Sequence, residues 1–210
     1  MLQRFKGIMF DMDNTLLASK INFKQMKLQC LQLLKDNEVD GWQKLGEHAT
    51  ASQMIELAKV RGKAAIVEQM FSKVEDIEKE GMREAVLEPK VLEVVRRLAE
   101  EKTLVIVTNN ATTAAVYALE RLNIAHYFTD IYGRDKMDAM KPSPESIQSV
   151  LTRHPQIETD KWVMIGDSWI DGRAASGAGV HYICYNGSKH LHEEKGVPVL
   201  HYITALQQLL

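Results

Sequence analysis

The spacing of hydrophobic and polar positions changes along the chain. Residues 7–10 read GIMF, a continuous apolar run typical of a strand that is buried on both faces, and the predicted strand covers Lys6–Phe10. Between residues 16 and 87, apolar positions recur every three or four residues, as in amphipathic helices. This spacing predicts a first helix capped by Asn22, a second over Glu47–Arg61, a third over Ala64–Glu80, and no strand.

From residue 88 onward, predicted strands alternate with predicted helices. The predicted strands are Thr103–Val107, Ile131–Gly133, Trp162–Ile165 and Val180–Cys184. KHLHEEKG at residues 189–196 is predicted to be a polar loop, and Thr204–Leu210 a terminal helix. Alternation of this kind is typical of crossover units and a parallel sheet. We expect the first strand to join this sheet, which makes residues 1–15 and 88–210 an α/β core and residues 16–87 a helical insertion.

Composition and charge narrow the functional classes. The chain of 210 residues is 45% apolar and 26% charged with a net charge of −2, as in ordinary globular proteins. Because nucleic acid requires clustered basic residues, we expect no nucleic-acid partner. Asp11 and Asp13 interrupt the first apolar run too early for a signal peptide, and no run is long enough to cross a membrane. Cys30 and Cys184 lack metal-type spacing, which favours reduced thiols in the cytoplasm.

Two acids follow the first strand directly. Asp11 and Asp13 are two positions apart, so in extended backbone their side chains point the same way. Neighbouring carboxylates raise each other's pKa unless a cation neutralises them. A hard divalent cation with oxygen ligands, most simply Mg²⁺, therefore explains why the chain places both acids here, although a capped turn is the simpler structural alternative.

Further polar side chains occupy the carboxyl ends of predicted strands. Thr108 follows TLVIV, Lys141 precedes a helix in MKPSPES, and IGDSWID places Asp167 and Asp171 after another strand. Because ligands of open parallel sheets bind at this edge, we expect these groups to converge on Asp11 and Asp13. Each residue alone has a structural explanation, such as a helix cap or a surface charge, but the ordered set indicates a site.

The set resembles the four motifs of the haloacid-dehalogenase-like hydrolase superfamily. The matching motifs are DMDNT at 11–15, TN at 108–109, KP at 141–142 and GDSWID at 166–171. The helical insertion after the first motif is similar to that family's first cap type, so the resemblance covers the whole chain. It implies a Rossmann-like core with an inserted, all-helical cap and an enzyme similar to the phosphoglycolate phosphatases of the family.

The resemblance also implies roles for the residues that match the motifs. Asp11 is expected to be the nucleophile that forms an aspartyl-phosphate, and Asp13 the general acid for the leaving oxygen and then the base toward water. Thr108 and the adjacent amide of Asn109 are expected to bind phosphate oxygens. Lys141 is expected to hold both the nucleophile and the phosphate.

The expected metal site belongs to the same resemblance. Mg²⁺ would be bound by Asp167, by a carboxylate oxygen of Asp11 and by the main-chain carbonyl of Asp13. Asp171 would either bind the metal directly or orient the groups that bind it, and the sequence leaves both roles open.

Two other activities remain open from the sequence. The leading hypothesis is a Mg²⁺-dependent phosphatase of small phosphorylated metabolites, and a phosphomutase shares the same intermediate. A non-enzymatic phospho-accepting receiver module is a weaker alternative, because receivers lack a long helical insertion after the first strand and an acid two residues after the acceptor. The physiological substrate and the oligomeric state do not follow from the sequence.

Overall fold

The computed structural model describes residues 1–46 and 49–210, and these residues form two compact units. One unit combines Met1–Ser19 with Ala85–Leu210, and the other is Lys20–Glu84. The first unit contains a parallel sheet with flanking helices, which confirms the predicted α/β fold class, and the second is helical. In the part of the chain that the structure describes, no helix combines the length and apolar character needed to cross a membrane.

The parallel sheet determines where the polar residues at the strand ends meet. In the described residues, its strands are β1 (Gly7–Phe10), β4 (Thr103–Val107), β5 (Asp130–Tyr132), β6 (Trp162–Gly166), β7 (His181–Tyr185) and β8 (His201–Ile203). They are arranged in the order β5-β4-β1-β6-β7-β8, and every neighbouring pair is parallel. Phe10 is in register with both Ile106 and Ile165, so β1, β4 and β6 end at the same edge of the sheet.

The apolar runs of these strands are buried, as their composition predicts. All four residues of β1 and all five of β6 are buried. Gly7 allows the Trp162 ring to lie against the backbone of β1, because a Cβ at this position would overlap the ring. Both faces of β1 and β6 are therefore covered, and Asp11 and Asp167 follow directly beyond the carboxyl ends of these strands.

Two short strands connect the sheet to the helical segment. Leu17–Ala18 (β2) pairs antiparallel with Val86–Leu87 (β3). The expectation that residues 16–87 contain no strand is therefore wrong at both ends of the segment. Two-residue strands are too short to show the alternation by which a strand is recognised.

The first unit also contains helices, and the first of them buries the apolar face that its spacing predicts. They are α4 (Val91–Ala99), α5 (Thr112–Arg121), α6 (Glu145–Arg153), α7 (Trp169–Gly177) and α8 (Lys189–Glu194). The predicted polar loop at 189–196 is wrong, since Ser188 caps α8 by accepting a hydrogen bond from the Leu191 amide, and His192 is buried. The predicted terminal helix over Thr204–Leu210 is confirmed only as a 3₁₀ helix over Leu206–Leu209, and the strand β8 before it was not predicted.

The helical unit contains α1 (Phe23–Asp36), α2 (Ala51–Val60) and α3 (Ala64–Met82). Asn22 caps α1, as predicted, because its Oδ1 accepts a hydrogen bond from the Gln25 amide at 2.9 Å. Thr50 and Gln53 form a capping box at α2. The predicted start of this helix at Glu47 lies outside the described residues. Cys30 and Cys184 are both buried and are not joined in a disulfide.

Candidate functional site

The turn after β1 orients the carboxylate of Asp11. The Asp11 amide donates to the Ile165 carbonyl at 2.9 Å, which continues the ladder between β1 and β6 by one residue. The Met12 carbonyl then accepts hydrogen bonds from the amides of residues 15, 16 and 17, so the chain turns sharply. This turn brings the Thr15 hydroxyl within 3.3 Å of Asp11 Oδ2, to which it donates. Asp11 is therefore almost buried and is held in a fixed orientation.

Asp13 and Asp11 have different partners. Asp13 Oδ2 accepts a hydrogen bond from the side-chain amide of Asn110, in the loop after β4. The main-chain amide of Asn110 donates to the Thr108 hydroxyl at 3.2 Å. Asp13 and Thr108 are thus linked through one residue, Asn110, which the sequence interpretation did not assign to the site. Its position beside Asn109 at a strand end was the signal that it belonged there.

Lys141 is a buried ammonium between two carboxylates. Its Nζ lies 2.6 Å from Asp11 Oδ1 and 2.7 Å from Asp171 Oδ1, and only 2% of the residue is exposed. Although burial lowers the pKa of Lys141, the two carboxylates raise it further, and the net pKa is above the usual value. Lys141 is therefore charged at neutral pH. It pairs with Asp11, from which it is separated by 130 positions in sequence, and with Asp171, which is 30 positions away.

The turn from β6 into α7 carries the other two acids. Asp171 Oδ2 accepts from the Ser168 amide at 3.1 Å, and the Ser168 hydroxyl accepts from the Ile170 amide, which caps α7. Gly166 is required here, because a Cβ would overlap the Asp171 carboxylate. The Tyr182 hydroxyl lies 3.0 Å from the carbonyls of both Gly166 and Ser168, the neighbours of Asp167.

Asp11, Asp167 and Asp171 form a carboxylate cluster. One oxygen from each lies within 4.8 Å of the others. Burial, followed by the charges of Asp11 and Asp171, raises the pKa of Asp167 to about 8. Burial together with the Asp11 carboxylate raises the pKa of Asp171 to about 6, although Lys141 opposes this shift. The three acids have only the Lys141 ammonium as a nearby positive charge among these groups, so the cluster carries surplus negative charge. Its donor atoms are all oxygens, and such a set fits a hard divalent cation such as Mg²⁺.

This surplus charge predicts that the metal-free protein loses stability as pH rises. Folding raises the pKa of Asp167 from 3.8 to about 8, so between these values the folded state holds a proton that the unfolded state has released. The free energy of unfolding therefore falls as pH rises through this window. Relative to Asp167→Asn, we expect wild type in EDTA to lose at least about 1 kcal/mol between pH 5 and pH 8.

Urea denaturation at both pH values measures this difference. Asp160→Asn is the matched control, because Asp160 is an exposed acid at the opposite end of β6 and its carboxylate pairs with the half-buried Lys161 at 3.0 Å. This control should keep the pH dependence of wild type. Parallel pH profiles for wild type and Asp167→Asn would contradict the prediction.

The loop after β4 brings Thr108 and Asn109 to the same edge of the sheet. The Thr108 amide donates to the Tyr132 carbonyl at 2.9 Å, which extends the pairing of β4 with β5. The side chain of Asn109 forms two hydrogen bonds with the peptide groups of Lys141, at 2.8 and 2.9 Å. The structure thus links Asp11, Asp171 and Lys141 directly and connects Asn109 to them through Lys141.

Comparison with known families and proteins gives consistent matches. A family model described as haloacid dehalogenase-like hydrolase matches residues 8–185. A phosphoglycolate phosphatase from Vibrio cholerae is 36% identical over 83 residues, which are 40% of this chain and 34% of that protein. The phosphoglycolate phosphatase of Salmonella typhimurium is 29% identical over 205 residues, covering 85% of this chain and 80% of that protein. The match to the Vibrio protein thus spans only about a third of that protein's length.

Solved structures share the fold across nearly the whole chain. A haloacid dehalogenase-like family hydrolase from Streptococcus pneumoniae superposes with a TM-score of 0.64 at 18% identity, covering 98% of this chain and 97% of that one. A protein described as a predicted phosphoglycolate phosphatase from Haemophilus somnus gives a TM-score of 0.67 at 21% identity, covering 100% and 98%. At these identities the likeness establishes the fold.

Proposed function

Since this chain belongs to the haloacid dehalogenase-like hydrolases, we propose that it is a Mg²⁺-dependent phosphatase of small phosphate monoesters, acting through an aspartyl-phosphate. The observation that carries the proposal is the cluster at the carboxyl edge of the sheet. There, Asp11 is held by Lys141 within reach of Asp167 and Asp171. The phosphatase names of the sequence relatives support the same reaction class.

Asp11 and Asp13 divide the proposed chemistry. A carboxylate oxygen of Asp11 forms a bond to phosphorus while the bond from phosphorus to the leaving oxygen breaks, and Asp13 gives that oxygen its proton. A water molecule then gives its proton to Asp13 and attacks phosphorus. The bond to Asp11 breaks, which releases inorganic phosphate and restores both acids.

The remaining residues bind and orient the phosphoryl group. Lys141 fixes the Asp11 carboxylate and supplies positive charge beside it, while the Thr108 hydroxyl and the Asn109 main-chain amide are the proposed donors to phosphate oxygens. Asp11, Asp167 and the Asp13 carbonyl would hold Mg²⁺, which when bound would supply positive charge that stabilises the transferring phosphoryl group. Asp171 accepts from both Lys141 and the Ser168 amide, which favours a role behind the metal.

A test of this function is phosphate release from a substrate panel with purified protein and Mg²⁺. The panel contains 2-phosphoglycolate, p-nitrophenyl phosphate, hexose phosphates and nucleoside monophosphates, and the names of the relatives place phosphoglycolate first. We expect release that EDTA abolishes. Conversion of one hexose phosphate isomer into another without phosphate release would indicate a phosphomutase, and no reaction with any substrate would overturn the proposal.

The proposed partner is a small phosphorylated metabolite, and the proposed location is the cytoplasm. The buried thiols of Cys30 and Cys184, which are not joined in a disulfide, support a reducing compartment. Fractionation of the native host cells, with detection by antibody, tests the location directly. Recovery with a membrane or extracellular fraction would contradict it.

A further inference from the structure

The loop that carries Lys141 lacks the support of regular structure. Residues 137–144 lie between a 3₁₀ turn over Arg134–Lys136 and the start of α6. Lys141 nevertheless has to place its ammonium within 2.6 and 2.7 Å of two carboxylates on other loops. A lysine side chain has four rotatable bonds, so its Nζ stays in one position only if the backbone from which it extends is also fixed.

The side chain of Asn109 meets both peptide groups of Lys141. Asn109 Nδ2 donates to the Lys141 carbonyl at 2.8 Å, and Asn109 Oδ1 accepts from the Lys141 amide at 2.9 Å. A primary amide presents its donor and acceptor in one plane, as a peptide group does. Asn109 therefore forms with Lys141 the pair of hydrogen bonds that the backbone of a neighbouring strand forms in a sheet. The two hydrogen bonds connect positions 32 residues apart in sequence.

Asn109 itself stands on a rigid support. The guanidinium of Arg134, which is 4% exposed, donates to the Asn109 carbonyl at 3.2 Å. The Arg134 amide also donates to the Asn110 carbonyl at 2.9 Å, so Arg134 binds the loop after β4 at two consecutive carbonyls. Movement of the Asn109 amide relative to the sheet is therefore restricted.

We propose that the Asn109 side chain is a positioning residue, which fixes the backbone of Lys141 and thereby sets the ammonium between Asp11 and Asp171. The inference rests on the proposed function and assigns the Asn109 side chain a task separate from that of its main-chain amide. It acts through Lys141 and has no contact of its own with substrate. The assignment predicts that position 109 requires an amide side chain, because a backbone amide alone cannot form both hydrogen bonds with Lys141.

The first test measures the contact without reference to activity. Hydrogen exchange of the Lys141 amide, followed by NMR, is expected to be about 10-fold faster in Asn109→Ala, because the acceptor is lost. Asn109→Asp keeps an oxygen in the acceptor position but loses the donor to the Lys141 carbonyl, so its exchange should lie between wild type and Asn109→Ala. Asn37→Ala is the matched control, since Asn37 donates to the Leu33 carbonyl at 2.9 Å in the helical unit. Unchanged exchange in Asn109→Ala would overturn the proposal.

The second test is a double-mutant cycle on phosphate release. Asn109→Ala is expected to lower kcat/KM about 10-fold in wild type but less than about twofold when Lys141 is already alanine. Equal effects in both backgrounds would show that Asn109 acts on substrate or on the fold independently of Lys141, which also overturns the proposal. If wild type releases no phosphate, the proposed function fails, while the exchange measurement still decides whether Asn109 fixes Lys141.

Discussion

Asp11→Asn is expected to reduce Mg²⁺-dependent phosphate release by about 10⁴-fold or more, the largest loss of any single substitution in this protein. A carboxamide oxygen is a far weaker nucleophile than a carboxylate oxygen, so no covalent intermediate forms. The substitution is nearly isosteric and keeps an oxygen in place for the Lys141 ammonium, which lies 2.6 Å from Asp11 Oδ1 in the native protein. The loss therefore reports chemistry rather than unfolding.

Two measurements separate these causes. Steady-state phosphate release gives the loss of rate, and mass spectrometry of acid-quenched protein detects the phosphoryl group on wild type and its absence on the variant. Asp160→Asn serves as the matched control, because it removes a carboxylate from the opposite end of β6, and its activity should stay within about twofold of wild type. Activity of Asp11→Asn within about 10-fold of wild type would exclude Asp11 as the nucleophile.

The parallel sheet and the edge that carries the candidate site were accessible from the sequence, because both depend on patterns several residues long. The apolar run before Asp11 and the run before Thr108 each form a strand, and all residues of both strands except Thr103 are buried. Once strands are parallel, the residues that follow them must share an edge, so Asp11 and Asp167 could be placed together although they are far apart in sequence. The helical insertion showed the same clarity, since α3 extends over 19 residues.

The features that the sequence did not reveal depend on single contacts. Leu17–Ala18 and Val86–Leu87 form a ladder only because the chain brings both segments side by side, and neither has an intrinsic pattern. The partners of Asp11 and Asp13 also differ in a way that spacing cannot show: one accepts from Lys141 and the other from Asn110. Motif spacing places these groups at one edge, whereas hydrogen-bond geometry decides which of them touch.

Lys141 is the residue whose removal should change stability most. Lys141→Met is expected to lower the free energy of unfolding by about 3–5 kcal/mol in EDTA at pH 8, because it leaves Asp11 and Asp171 buried without their counter-charge. Methionine has a similar length and no charge, so lost packing contributes little. Phosphate release should fall by about 10²–10³-fold or more, as for other groups that stabilise charge in the transition state.

The pH and the metal should change this loss of stability in defined directions. Lowering the pH from 8 to 5 protonates the acids whose pKa values are raised, so the variant should regain stability relative to wild type. Mg²⁺ should also restore stability, because it supplies positive charge to the same carboxylates and binds only the folded state.

Urea denaturation at pH 5 and pH 8, with EDTA or with Mg²⁺, measures both effects. Lys102→Met is the matched control, because Lys102 donates to the Phe5 carbonyl at 2.9 Å near the amino end of the sheet, opposite the edge that carries Asp11 and Asp171. Its stability should show no rescue by Mg²⁺ or by low pH. If Lys141→Met were as stable as wild type in EDTA at pH 8, the acids would not depend on the ammonium. The repulsion among Asp11, Asp167 and Asp171 would then be too weak to require either a lysine or a metal.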